Sequence, residues 1–128
     1  MPLLLAAAID AGCGLEVQSP DLFLLTRTGN GRKLTLLVNS GGTVRCNGSH
    51  TKPLPDKLLL EARNVTGQLN RDARRHLHIQ PAPDSVYLYR VRLQQGTVTF
   101  PDTAARGRPE LAQLELLAVR IVEGPCRG

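Results

Sequence analysis

Three cysteines, three histidines and a scatter of arginines are the residues here whose types could do chemistry. Cys13, Cys46 and Cys126 stand far apart with no C-x-x-C pair, so neither a structural zinc site nor a thioredoxin-type motif is expected. His76 and His78 flank Leu77 and would share a side on an extended backbone. Two ligands are too few for a metal and His50 lies in a remote loop, so they read as part of a basic surface cluster. No G-x-S-x-G, H-E-x-x-H or paired-carboxylate pattern occurs. Gly29-Asn30-Gly31 looks like a phosphate loop but lacks the third glycine and the following helix. The expectation is a non-enzymatic protein with no metal and no cofactor.

The elements that must position these residues are legible from periodicity. Ser85–Asp102 contains two alternating runs joined at Gln94-Gln95-Gly96, the pattern of an antiparallel hairpin. Tyr87, Tyr89, Val91 and Leu93 fall on one face with Val98 and Phe100; Val86, Leu88, Arg90 and Arg92 fall on the other with Thr97 and Thr99. The first face carries three of the four aromatic residues, which places the core there. Upstream, Asp21–Thr28 and Arg32–Ser40 flank a Gly-Asn-Gly turn, and Asn39-Ser40-Gly41-Gly42 leads into Thr43–Cys46, giving a meander of three strands. Val44 and Cys46 share a face; Thr43 and Arg45 take the other.

Asn47–Pro53 reads as a polar loop. A helix begins at Leu54-Pro55-Asp56, with Leu58, Ala62, Val65 and Leu69 as its apolar stripe. The basic run Asn70–His78 either ends that helix or forms a knuckle before a stiff loop containing Pro81 and Pro83. After the hairpin, Thr103–Arg108 reads as a loop. Pro109-Glu110 then opens a second helix with Leu111, Leu114, Ala118 and Ile121 as its stripe and Glu115 and Arg120 off it, closed by Gly124-Pro125. The order β-β-β-α-β-β-α predicts an α+β two-layer sandwich, an antiparallel sheet of about five strands covered by two amphipathic helices. At 128 residues, 41% hydrophobic and 21% charged, the chain suits one domain, drawn over 21–128, with 1–20 as a separate N-terminal segment.

These elements give the cysteines different work. Cys46 ends a strand under the core and Cys126 follows the helix that covers it, so an oxidising compartment would join them in a disulfide. The alternative is three unrelated reduced cysteines in the cytoplasm. Arg45, Arg90 and Arg92 lie opposite the core, and form an arginine patch on the open sheet face if their strands are neighbours. Such a patch suits a partner's acidic surface or simple solvation. Nucleic acid is disfavoured, because the stacking aromatics of sheet-type RNA readers are missing. The net charge of +5 is dispersed, with no run of five like charges.

Met1–Gly14 is an apolar run ending in small residues and Cys13-Gly14, which resembles the tail of a bacterial lipoprotein signal. That resemblance implies lipidation of Cys13, and hence contact with a membrane only through that anchor. Asp10 and the lack of a preceding basic residue depart from the pattern. The alternative is a short helix or strand packed on the core.

The second half also carries a family resemblance. A helix beginning L-P, a Pro-rich linker ending P-D, the strand V-Y-L-Y-R-V, the strand T-V-T-F-P-D, and P-E-L before a leucine-rich helix resemble the emfourin family, small bacterial inhibitors of thermolysin-like metalloproteases. Actinobacterial lipoproteins that share the layout look similar. The resemblance spans about 22–122, with Thr28-Gly29-Asn30-Gly31 near the family's Gly-Gly segment. It implies the same fold and a metalloprotease partner, and it assigns no inhibitory residue. The combined expectation is a non-enzymatic, extracytoplasmic cell-envelope binding protein, lipid-anchored and akin to protease inhibitors. The alternative is an intracellular basic interaction protein that binds an acidic partner or nucleic acid through the arginine-bearing face.

Overall fold

A computed structural model describes Val17 and residues 21–127. Cys13, the expected lipidation site, therefore lies outside the described residues. The elements run β1 (Asp21–Gly29), β2 (Arg32–Asn39), β3 (Thr43–Cys46), β4 (Thr51–Pro53), α1 (Asp56–Arg74), β5 (Leu88–Leu93), β6 (Gly96–Pro101) and α2 (Pro109–Glu123). Short 3-10 turns cover Asp102–Gly107 and Pro125–Arg127. The strands form one antiparallel sheet in the order β4-β3-β2-β1-β5-β6, and both helices share a core with one of its faces. This is the α+β architecture the periodicity predicts, with six strands rather than about five.

Turn chemistry sets the pairing. Gly29 pairs with Arg32 across Asn30 and Gly31, whose φ values of 53° and 70° suit the tight hairpin turn that splays strands least. Leu93 pairs with Gly96 across Gln94-Gln95. Gly96 is demanding: at φ 149° its Cα faces the end of α1, and a Cβ there would stand 2.2 Å from the Ala73 carbonyl oxygen. Only glycine lets the hairpin and the helix approach so closely.

Alternation then sorts the side chains. Cys46, Leu36, Leu25, Val91 and Val98 form one cross-strand row on the helix side of the sheet. Tyr89 and Phe100 form the end of the next row, their rings stacked 5.1 Å apart. From above, α1 contributes Ala62, Val65, Leu69 and Ala73, and α2 contributes Leu111, Leu114, Leu117, Ala118 and Ile121. Each helix has an acidic first turn and a basic last turn, matching its dipole.

Four readings need correction or completion. The expected loop Asn47–Pro53 holds β4, three residues that extend the sheet past β3. A single pair of alternations is too short to stand out from a loop. Thr103–Arg108 is mostly a 3-10 turn rather than irregular. The basic run after Asn70 takes both of its readings: α1 continues to Arg74, the chain turns at His76 with φ 52°, and Leu77–Ile79 then bonds to Thr99 at the sheet edge. Glu115, expected off the stripe, is half-buried with Oε2 enclosed.

Candidate functional site: the open face of the sheet

The face turned away from the helices is set by the same alternation. Arg90 stands between Thr26 of β1 and Thr99 of β6, and Arg92 stands between Leu24 and Thr97. Arg45 on β3 opposes Leu37, which opposes Leu24, which opposes Arg92. Arg45 and Arg92 therefore lie in one row on one face. Their strands are not neighbours, however: β2 and β1 intervene, so the condition for a single continuous arginine patch is not met. Three strand spacings separate the two arginines by about 14 Å, whereas Arg90 and Arg92 are about 7 Å apart along β5. Lys33 opposes Thr28 on the same face and belongs with them. The alternation of R-K-L-T-L-L-V-N already implies its direction, yet Lys33 was not singled out from the sequence.

The face is short of acid and aromatic groups. Arg45 donates from Nη2 to Thr51 Oγ1 at 3.4 Å. Among the described residues, Arg45, Arg90, Arg92 and Lys33 form no ion pair, whereas Arg106, Arg108 and Arg120, away from this face, do. Asp21 is at the rim, its Oδ1 accepting from Asn39 Nδ2 at 3.1 Å. A depression of about 160 Å³ lies beside Arg45, lined by Asp21, Leu37, Asn39, Thr43 and Thr51. Leu24, 6% exposed, lies between Leu37 and Arg92. This surface offers a ligand cations, hydroxyls and amides, with the exposed Leu88 beside Arg90 as an apolar contact.

Cys46 and Cys126 are joined in a disulfide, with Cα atoms 5.7 Å apart. The bond fixes the C-terminal 3-10 turn to β3 and removes the Cys46 thiol as a nucleophile. His76 and His78 are both exposed, but the left-handed turn at His76 means that the two do not share one extended run. Among the described residues, no three His, Cys, Asp or Glu are grouped to hold a metal, and no helix is long and apolar enough to cross a membrane.

Two carboxyls missed from sequence have unusual surroundings. Asp72, on the inner side of α1, is 6% exposed and its Oδ2 has no partner. Burial raises its pKa to about 6, helped by a hydrogen bond and charge repulsion from Glu110 at the start of α2, against the opposing pull of Arg108 and Arg75. Arg108 Nη1 is 3.9 Å from Asp72 Oδ1, too far for a hydrogen bond. Glu115 is raised to about 7 by burial, then by the charge of Asp102, and it pushes up the pKa of Tyr89, itself raised chiefly by burial. The two residues of the first pair are 38 positions apart in sequence, so no local pattern announces them.

No family model, curated protein or solved structure matches the chain.

Proposed function

We propose that this is a non-enzymatic binding protein of the cell envelope whose open sheet face takes an anionic partner through Arg45, Arg90 and Arg92, with Lys33 beside them. One observation carries the reading: Arg45, Arg90, Arg92 and Lys33 stand together on one threonine-rich face, and none of the four has an ion pair among the described residues. Exposed cations left unpaired on a flat surface attract anions at long range and release counterions on contact. The Cys46–Cys126 disulfide supports an oxidising, extracytoplasmic setting, since such bonds persist outside reducing compartments. Lipidation at Cys13 would add the anchor.

Thiol titration of unreduced protein from its own host tests the compartment. One free thiol, or none if Cys13 is lipidated, is expected; three would favour the intracellular alternative, with the same face used on an acidic partner or nucleic acid.

Metalloprotease inhibition is a second, narrower reading. The observation favouring it is a braced projecting turn. Asn30 is exposed at the β1–β2 tip and donates from Nδ2 to the Tyr87 hydroxyl at 3.4 Å, and the Arg27 guanidinium lies 4.7 Å from the centre of the Tyr87 ring. A rigid protrusion suits insertion into a protease cleft. Titration of a thermolysin-like protease tests it: stoichiometric loss of activity with the protein intact is expected, and undiminished activity contradicts it.

A further inference from the structure

We infer that α2 is a pH-gated latch: it stays seated while two enclosed carboxyls hold protons, and its N-terminal half opens ahead of the rest of the fold once both are ionised. Among the described residues, Asp72 Oδ2 and Glu115 Oε2 are the two buried side-chain polar atoms without a hydrogen-bond partner. Both belong to the seat of α2. Asp72 reaches the first turn of α2 from α1, where Glu110 repels it. Arg108 stands 3.9 Å from Asp72 Oδ1 and 3.8 Å from Glu110 Oε2, outside hydrogen-bond range of either. Arg71 lines the same cleft, and Arg75 also draws on Asp72. Further along α2, Glu115 faces Asp102 of the 3-10 turn and Tyr89 of β5, with Arg27 of β1 beside the tyrosine. Ionising either carboxyl is therefore unfavourable in the seated helix and eased when water reaches it. Burial and then Glu110 raise Asp72 to about 6; burial and then Asp102 raise Glu115 to about 7.

The two ends of α2 are held unequally. Arg108, at its N-cap, supplies no side-chain hydrogen bond to the first turn, whereas just past the last turn Cys126 is bonded to Cys46 of β3. Opening from the uncapped end hydrates Asp72, Glu110 and Glu115 together and bares Leu111 and Leu114, both fully buried when the helix is seated. Burial of those leucines opposes the opening, so the open form is a minor state whose population the two protons set. Both carboxyls bind protons more tightly in the seated form, so opening grows as pH rises from about 4 towards the seated values. The latch acts on the helix side and is independent of the open sheet face.

The test is amide hydrogen exchange of the oxidised full chain at pH 5 and pH 8, read by mass spectrometry and corrected for the intrinsic chemical rate. At pH 8 the amides of residues 110–118 should be at least about tenfold less protected than those of β1 and β2. Their protection should rise at least about tenfold on going to pH 5. In the double variant Asp72→Asn with Glu115→Gln that rise should shrink to below about threefold, whereas Glu123→Gln, at the exposed end of α2, should keep it. Amides of 110–118 as protected as the strands at pH 8, or a rise undiminished in the double variant, would overturn the latch. Should the double variant fail to fold, Glu115→Gln alone decides: a rise equal to that of the wild type overturns the inference.

Discussion

Arg45 and Arg92 lie in the same cross-strand row on the open face, with Leu37 and Leu24 between them. Neither arginine has a carboxylate partner among the described residues, although Arg120, packed against α1, makes a two-bond contact with Glu61 at 2.9 and 2.8 Å. Arg45, Arg90, Arg92 and Lys33 thus stay unpaired together on the bare side of the sheet, and the proposed anion-binding role rests on that grouping.

The disulfide should dominate the response to reduction. Cys46 and Cys126 are 80 residues apart in sequence, so the bond closes a long loop in the unfolded chain. Cys46→Ser with Cys126→Ser is expected to lose about 2–5 kcal/mol, read from urea unfolding, and to match wild-type protein measured in reductant. Unchanged stability would show that the C-terminal turn holds without its covalent tie.

Asp72 should make the fold prefer mild acid. Its pKa is raised in the folded state, to about 6, so the folded protein binds more protons than the unfolded chain between about pH 4 and pH 6. Stability from this group is full below that window and falls as pH rises through the folded value. Asp72→Asn, which keeps the shape and removes the charge, should raise the melting temperature at pH 7.5 and change it little at pH 4. A variant destabilised at both would mean that the ionised carboxylate is needed.

Glu115 should behave likewise, shifted upward. Burial and Asp102 hold it near 7, so its contribution is lost as pH climbs through neutrality. Glu115→Gln is expected to flatten the decline in stability between about pH 4.5 and pH 7, measured by thermal unfolding across that range.

Gly96→Ala tests the hairpin's seat on α1. A methyl group would collide with the Ala73 carbonyl at a φ that L-residues avoid, so a loss above about 1 kcal/mol is expected in urea unfolding. Removing the exposed Arg120–Glu61 pair should cost far less, about 0.5 kcal/mol in a double-mutant cycle.

Most of this architecture is written in local patterns. The alternation in Tyr87–Leu93 and Thr97–Phe100 gives the hairpin and its two faces, Pro55-Asp56 and Pro109-Glu110 mark both helix starts, and Cys46 and Cys126 fall where a staple is useful. What local pattern cannot carry is strand order. β1 is central, between β2 and β5, and this long-range choice puts two strands between Arg45 and Arg92. The same limit hid the meeting of Asp72 with Glu110, which depends on how α1 and α2 cross, and β4, whose Thr51–Pro53 is too short to show a period.

The measurement that bears most directly on the proposed binding surface is an NMR titration of arginine Nε–Hε signals with a polyanion, poly-L-glutamate. Shifts confined to Arg45, Arg90 and Arg92, with the ion-paired Arg106 and Arg120 silent, are the expected result. Shifts centred on Arg71, Arg74 and Arg75 of the helix layer, with the sheet arginines unmoved, would contradict the assignment of function to the open face.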